Sequence, residues 1–575
     1  MGRSIGFPET LVIQLLTPMK SRLLSLFVLF SAAGFAQLST DQRAADFRNL
    51  YDLYARYYAP AQWKKDLLQY DLLNLSPWMD RIQGVTNDLD FYDVMIDYVA
   101  SLQDAHDQYI VPSDFDAYLG FYVDIYDGKL LIDQIDRTVL SSATYPFQVG
   151  DQLVSVDGKS GSDLLTLFSK YQTGANARTQ QRFAAMLITE RYQGYYPHAP
   201  EVGDMATVVI QRQSGATETY NIPWQKIGTP LTTLGASPGP TTVSAQAQAR
   251  RVAAKTPIYQ KLLEQMHDYS TPKIVAVTGF DELAPTFSMP SNFVQRLGKR
   301  VTDYYFTGTY TASDGTRVGF LRIPDFLYAY TPDLDREIKY FQTNTDVLVV
   351  DVMRHPGGSP CDAEDAIARL TTNQFQGAVS QFRVTWSDVV SFAEGLDQAI
   401  QDGLDDDTIA QFQLYRDSFK NTYLNNQGGL TDPLPVCGST TTRTPVSTAY
   451  TKPVMVLVDD MTFSAGEVFA ALVQDNHIAT LFGYRTPGAG GVLFGLSDTQ
   501  VGFYSEGSTS VTRGLTVRSQ AVVTSDYPTT NYIENVGVRP DVTYDYMTAD
   551  NLVNHGAAFV QAFTDAAVKL AKGGK

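Results

Sequence analysis

Histidine, cysteine and serine are the residue types in this chain whose spacing could support metal or nucleophilic chemistry. The 575 residues include six histidines and two cysteines. The histidines form no HExxH motif and no close pair, and a metal site needs several ligands at set spacing, so the sequence argues against a metal site. Neither Cys361 nor Cys437 lies in a nucleophile signature, and no P-loop is present. A nucleophilic serine is the remaining common option.

One serine lies between a strand-like segment and a helical one. The segment VMVLVDD (454–460) precedes Ser464, and AGEVFAALVQDN after it places apolar residues on one helical face. A helix N-terminus has a positive potential, and the N–H of Ala465 is free to donate to an oxyanion. A plain serine cap of a buried helix is the alternative. Two G-x-S-x-G matches, at 2–6 and 235–239, lack the strand and helix that this motif requires.

A second turn is rich in glycine. The apolar run VLVVDV (347–352) leads through Met353 and Arg354 into His355-Pro356-Gly357-Gly358. Glycines without a Cβ let the backbone turn sharply and present an N–H group. Placed beside Ser464, the N–H of Gly357 or Gly358 would be the second oxyanion donor. An ordinary turn at the end of a strand is the alternative.

The elements that must position these residues fall into zones. The sequence predicts helices at 41–58 and 91–102, and short strands at 118–123, 129–135, 152–156 and 206–211. A Pro- and Gly-rich linker at 231–243 precedes a helix predicted at 245–269, and α/β texture follows from residue 318. The predicted divisions are a signal region (1–36), a helical segment (37–115), a β-rich domain (116–228), a linker and insert (229–300), an α/β core (301–550) and a C-terminal helix or tail (551–575).

Composition and charge limit the class of protein. Hydrophobic residues make up 44% of the chain, which is enough for sizeable cores. The formal net charge is −18, so no excess of lysine and arginine is available to displace counterions from nucleic acid. We therefore expect no nucleic-acid partner.

The N-terminal region resembles a secretory signal peptide. Met19 begins a short basic stretch, the apolar run LLSLFVLF (23–30) follows, and small residues lead to a cleavage position after Ala36. Met19 makes a better start than Met1, and the apolar run is too short to span a bilayer. We expect a secreted or periplasmic protein that is not embedded in the membrane. In such a compartment Cys361 and Cys437 could pair, and the sequence leaves this open.

Three blocks together resemble family S41 of serine peptidases. These are HPGG (355–358), VLVDDMTFSAGEVFAALVQDN (456–476) and ATLFGYRTPGAGG (479–491). SLQDAH (101–106) and YIENVGVRPDV (532–542) are similar to the branch that contains the chlamydial protease-like activity factor. The resemblance implies an α/β multidomain fold with an N-terminal helical segment, a PDZ-like β-rich domain and a C-terminal peptidase core of the crotonase/ClpP-like type.

The resemblance also implies a set of catalytic residues. Many members use a Ser–Lys dyad, but Ala489 stands at the lysine position here, and the guanidinium of Arg485 stays protonated and cannot act as a base. The similar branch uses Ser, His and Glu, which correspond to Ser464, His106 and Glu534. An imidazole can take the hydroxyl proton and a carboxylate can stabilise the imidazolium. The implied activity is a secreted endopeptidase that acts on proteins or peptides through an acyl-enzyme, without a cofactor.

Two further segments carry weaker similarities. FQVGDQLVSVDGK (147–159) resembles a hairpin of PDZ domains, which bind extended peptides as an added strand, although the carboxylate-binding loop is not recognisable. A purely structural β-domain is the alternative. Residues 244–300 occupy the place of an inhibitory segment in the chlamydial relative, so zymogen behaviour is a hypothesis.

Other functions stay open at this stage. One is a peptide-binding protein that keeps a peptidase-like scaffold without cleavage, which an intact Ser, His and Glu set argues against. Another is acyl-CoA chemistry, suggested by the likeness of the family core to crotonases and disfavoured by the acidity and the export signal. The oligomeric state is open, a homodimer included.

Overall fold

The computed structural model describes residues 37–69, 71–232, 256–266, 279–280, 282–327, 331–426, 429–496 and 499–573. The predicted signal region, 1–36, lies outside them, as do residues 233–243 of the predicted linker. Of the helix predicted at 245–269, the described part is a helix from Ile258 to Met266.

Helices dominate the N-terminal segment because aromatic and aliphatic side chains recur on one face of each. They are α1 (Thr40–Tyr57), α2 (Ala61–Leu68), α3 (Ser76–Gly84) and α4 (Asp88–Ala100). Ser39 begins α1 with a capping box, and the Asn87 side chain caps α4. The helices predicted at 41–58 and 91–102 correspond to α1 and α4.

A β-rich domain follows. Its elements are β1 (Tyr109–Ile110), β2 (Asp116–Tyr118), β3 (Phe121–Tyr126), β4 (Lys129–Ile135), β5 (Gln152–Val156), β6 (Lys159–Ser160), α5 (Gly161–Ser169), α6 (Ala177–Thr189), a 3₁₀ turn (Ala199–Glu201), β7 (Met205–Gln211), β8 (Thr217–Pro223) and β9 (Gln225–Ile227). The main sheet has the order β3-β4-β5-β7-β8, with β6 beside β5. The single strand predicted at 118–123 is wrong, because Gly120, at φ +84°, separates β2 from β3.

The C-terminal half is an α/β core. Its elements are α7 (Ile258–Met266), β10 (Val294–Leu297), β11 (Phe306–Thr311), β12 (Arg317–Arg322), α8 (Thr331–Asn344), β13 (Val347–Asp351), α9 (Pro360–Ile367), β14 (Phe375–Gln376), β15 (Val379–Phe382), α10 (Trp386–Gln401), α11 (Asp406–Asn425), β16 (Leu434–Pro435), β17 (Thr442–Arg443), β18 (Val454–Val458), α12 (Ala465–Asp475), β19 (Thr480–Gly483), β20 (Gly491–Val492), β21 (Thr499–Gln500), β22 (Ser508–Thr509), β23 (Gly514–Val522), β24 (Thr530–Tyr532), β25 (Val542–Thr543), α13 (Ala549–Val553) and α14 (Ala557–Ala571).

The central sheet of this core has the order β10-β11-β12-β13-β18-β19-β25. From β12 onwards the pairs are parallel, so β13 and β18 end at the same edge. Both strands are buried at every residue, as the continuous apolar runs predict. The segments that follow them therefore lie side by side, and ligands of open α/β sheets bind at this edge.

A disulfide joins Cys361, in α9, to Cys437, which answers the pairing that the sequence left open. The two residues are 76 positions apart, and their Cα atoms lie 5.5 Å apart. None of the described helices is both long and apolar enough to cross a membrane.

Candidate active site

The turn between β18 and α12 holds Ser464 in an unusual backbone conformation. Its φ is +51° and its ψ is −121°, and the residue is 1% exposed. A positive φ is rare for a residue with a Cβ and persists only where the surroundings enforce it, which is common at functional sites. A sharp strand-to-helix turn of this kind presents a nucleophilic hydroxyl.

The glycine-rich segment after β13 is bonded to this turn. The Thr462 hydroxyl donates to the Val352 carbonyl at 2.8 Å, and the Phe463 N–H donates to the His355 carbonyl at 2.7 Å. Asp459 accepts the Arg354 N–H at 2.9 Å. The two segments that the sequence predicted as a nucleophile turn and an oxyanion turn are thus in contact.

Gly357 lies directly against Ser464. A Cβ added at Gly357 would come within 2.5 Å of the Ser464 Cβ and 3.3 Å of the Ala465 nitrogen, and its φ is +117°, so only glycine fits. Its N–H donates to His355 Nδ1 at 3.0 Å. Within the described residues, the N–H groups of Ala465 and Gly358 form no hydrogen bond. They are the ones available to an oxyanion.

His106 comes from the segment that follows α4. Its N–H donates to the Asp104 carboxylate at 3.0 Å, and that carboxylate also accepts the Tyr58 hydroxyl at 3.0 Å. The next residue, Asp107, accepts the N–H of Thr512 at 2.8 Å. Buried carboxylates therefore fix this segment on both sides of the imidazole.

Ser464 and His106 meet although 358 positions separate them in the chain. The Ser464 Oγ lies 3.0 Å from His106 Nε2, and His106 is 3% exposed. This distance is that of a nucleophile and its general base in hydrogen-bond contact.

Glu534 lies in the turn after β24, next to the same site. Its Oε2 accepts the Gly490 N–H at 3.2 Å, and its Oε1 accepts the Lys64 ammonium at 2.5 Å. A Cβ added at Gly491 would come within 3.2 Å of His106 Nδ1, so the Gly490-Gly491 pair contacts both the carboxylate and the imidazole. Burial and the nearby Asp104 charge raise the pKa of Glu534 to about 8, against the lowering effect of Lys64.

Sequence reasoning missed Lys64, which lies on α2 and is 1% exposed. Lys65 beside it is exposed and pairs with Asp71. The local sequence WKKD does not indicate which of the two adjacent lysines is buried. That depends on how α2 packs against the rest of the chain.

Glu467, in the first turn of α12, was also missed. Its buried carboxylate accepts the Thr486 hydroxyl at 2.5 Å and the N–H groups of Gly488 at 2.7 Å and Ala489 at 2.5 Å. Burial raises its pKa to about 7. This carboxylate fixes the loop that includes Ala489, where the buried methyl group packs in an apolar cluster. Arg485 instead lies over the Tyr527 ring at 5.2 Å.

Two other histidines can be compared with His106. Burial lowers the pKa of His355 to about 3, so this imidazole is neutral and acts as the acceptor for Gly357. His477 is exposed and follows the far end of α12. Neither one contacts the Ser464 hydroxyl in the described structure.

The β-rich domain contacts the nucleophile turn through α6. Arg182, fully buried, bonds Asp124 of β3 at 2.6 Å and Asp460 of the turn at 2.5 Å. Arg178 also bonds Asp460, and it pairs with Asp545 at 2.8 Å. Two guanidinium groups of one domain therefore hold the turn that carries the candidate nucleophile.

One residue of the predicted insert reaches the same region. The Phe280 ring lies 5.7 Å from the ring of Phe463, the residue before Ser464. The hypothesis that residues 244–300 inhibit the site stays a prediction.

Comparisons with known proteins agree with this architecture. Residues 317–544 match the family model of peptidase family S41, and residues 116–231 match a PDZ domain model. A protein of Chlamydia pneumoniae is 24% identical over 92% of this chain and 91% of its own length. A protein of Chlamydia trachomatis is 24% identical over 86% of this chain and 87% of its own length.

Solved structures of CPAF, the chlamydial protease-like activity factor, share the fold. Mature CPAF aligns with a TM-score of 0.73 and 20% identity, over 93% of this chain and 98% of that one. Its complex with lactacystin gives a TM-score of 0.72 over 93% of this chain and 99% of that one. The predicted fold class, helical segment, PDZ domain and peptidase core, is confirmed. Residues 317–544 therefore match peptidase family S41, and the chain as a whole shares its fold with CPAF.

Proposed function

We propose that the chain is a secreted or periplasmic serine endopeptidase that works through an acyl-enzyme with Ser464, His106 and Glu534 as its triad. The observation that carries this proposal is the 3.0 Å contact between the Ser464 Oγ and His106 Nε2 in a buried turn with positive φ. The hydroxyl and the imidazole come from separate segments, so a simple helix cap does not account for the contact.

The proposed reaction follows from this geometry. Ser464 Oγ attacks the carbonyl carbon of the scissile bond while its proton passes to His106 Nε2. The imidazolium then gives that proton to the leaving amine, and water releases the acyl group by the reverse sequence. Glu534, beside the Nδ1 edge of His106 across the Gly490-Gly491 pair, stabilises the imidazolium by its charge.

The oxyanion that forms on the carbonyl needs donors. We assign this role to the N–H groups of Ala465 and Gly358, because the Gly357 N–H is already donated to His355. Gly357 contributes space instead, since any side chain there would contact Ser464. Removing one such donor costs about 10²–10³ in kcat.

Export is part of the proposal. Disulfides persist in oxidising compartments, and the Cys361–Cys437 pair fits such a location. The test is N-terminal sequencing of the protein recovered from the medium or periplasm, with Gln37 expected as the first residue. Full-length protein confined to the cytoplasm would refute export.

The activity is tested with a fluorophosphonate probe and a casein cleavage assay. We expect Ser464→Ala to abolish labelling and to lower cleavage by about 10⁴–10⁶, the range seen for triad serines. The matched control is Ser169→Ala, a half-buried serine at the end of α5, which should behave as wild type. Unchanged cleavage by Ser464→Ala would refute the assignment, and a wild-type protein that binds peptides without cleavage would support the binding alternative.

A further inference from the structure

We propose that Lys64 is a positioning residue that fixes the Glu534 side chain beside His106 and favours its charged form. This inference rests on the proposed function, because it assigns a support to the proposed triad. It gives the N-terminal helix α2 a direct part in the chemistry of a site whose nucleophile is 400 positions further along the chain.

The ammonium of Lys64 donates hydrogen bonds to three acceptors next to the candidate active site. It donates to Glu534 Oε1 at 2.5 Å, to Asn535 Oδ1 at 2.8 Å and to the Gln103 carbonyl at 2.8 Å. An ammonium has three N–H donors, so all of them are used. The same group therefore binds the carboxylate, its neighbour in the turn and the segment that carries His106.

Asn535 completes the connection. Its amide donates to the Gln103 carbonyl at 2.8 Å and to the Ala175 carbonyl at 2.7 Å, while its oxygen also accepts the Trp63 indole N–H at 3.1 Å. Two consecutive residues of α2, Trp63 and Lys64, thus hold the turn that presents Glu534. Within the described structure this cluster ties α2, the Glu534 turn and the His106 segment together.

The charges around Glu534 explain why it needs a cation. Its side chain is fully buried, and burial disfavours a carboxylate. The carboxyl groups whose charges act on Glu534 or respond to it are Asp104 and Asp107, on either side of His106 in the chain, and Glu467 on α12. The phenol of Tyr58, the residue directly after α1, responds to it too. Lys64 opposes these effects and lowers the pKa of Glu534.

The protonation state of Glu534 matters for the proposed reaction. A charged carboxylate stabilises the imidazolium that forms when Ser464 gives up its proton, whereas a neutral acid does not. Without Lys64, Glu534 would keep its proton to a higher pH. The rise of activity with pH would then move to more alkaline solution.

The experiment measures kcat against pH for Lys64→Gln, which removes the charge and keeps hydrogen-bond donors on a shorter side chain. We expect the midpoint of the rise in kcat with pH to move up by at least one pH unit. At pH values below the midpoints of both the variant and the wild type, this lowers kcat about tenfold. The matched control is Lys65→Gln, the exposed neighbour, with a wild-type profile. Lys64→Met is measured as well, and urea unfolding verifies that each variant is folded.

Two outcomes would overturn the proposal. One is a Lys64→Gln profile that superposes on wild type, and the other is a loss of kcat by the same factor at every pH. Because Lys64 is argued to act through Glu534, Lys64→Gln should have no further effect on kcat in a Glu534→Gln background, and an additional loss there would also refute it. If the wild type shows no Ser464-dependent cleavage, the proposed function fails instead.

Discussion

The contact between Gly357 and Ser464 allows a sharp test of how the proposed nucleophile is held. In Gly357→Ala, the new methyl group would lie 2.5 Å from the Ser464 Cβ and 3.1 Å from its Oγ. Carbon atoms in van der Waals contact are about 3.5 Å apart, so the two must separate by about 1 Å. A displacement of that size at a reacting group costs about 100-fold in rate.

The backbone contributes a separate effect. Gly357 has φ +117°, where a side chain is strained by about 1–3 kcal/mol. Gly315, in the turn between β11 and β12, has φ +92° and would place a Cβ in open space. Gly315→Ala is therefore a matched control that has the backbone strain without the contact.

The assay is the rate of fluorophosphonate labelling, with urea unfolding of both variants. We expect Gly315→Ala to lose about 1–3 kcal/mol of unfolding free energy and Gly357→Ala to lose more, because the methyl contact adds to the strain. Only Gly357→Ala should label about 100-fold more slowly. A folded Gly357→Ala protein that labels at the wild-type rate would refute the reasoning, as would equal losses of labelling in the two variants.

Three further predictions concern charge and cross-links. Burial raises the pKa of Glu534 to about 8, and the proposed triad needs its ionised form, so kcat should rise with pH around a midpoint near 8. Glu534→Gln should flatten that rise, and a wild-type profile that is flat from pH 7 to 9 would contradict this. Arg182→Met leaves the buried Asp124 and Asp460 without this cation, so it should lower the unfolding free energy by about 3–5 kcal/mol in a urea titration. A loss under about 1 kcal/mol would show that the two ion pairs contribute little. Reduction of the Cys361–Cys437 disulfide, which closes a segment of 76 positions, should cost about 4 kcal/mol of unfolding free energy, and equal urea midpoints with and without reductant would contradict this.

Much of the core could be predicted because its signals are local. Strands β13 and β18 are buried on both faces, so each is a continuous apolar run, and parallel strands end at a common edge. The strand–turn–helix around Ser464 and the glycines after His355 could be located for this reason. The single strand predicted at 118–123 failed because alternation of apolar residues continues across Gly120, where the chain changes sheet.

The rest of the site depends on contacts that no local pattern contains. The Lys64 ammonium and the Glu534 carboxylate are 470 positions apart, and α2 must dock before the two can pair. The acceptor of the Gly357 N–H depends on how the His355 ring and the peptide plane are turned. The salt bridge between Arg182 and Asp460 depends on how the β-rich domain packs against the α/β core.

The separation of His106 from Ser464 has a consequence for synthesis. A ribosome makes the proposed base early and the proposed nucleophile 358 residues later, and the Glu534 turn follows after that. An emerging chain therefore has no complete site until nearly all of it has been translated and the N-terminal helices have packed against the late segments. A product cut short between residues 231 and 464 would contain the PDZ domain and His106 but not Ser464, so under the proposed mechanism it would be inert and not an unregulated peptidase.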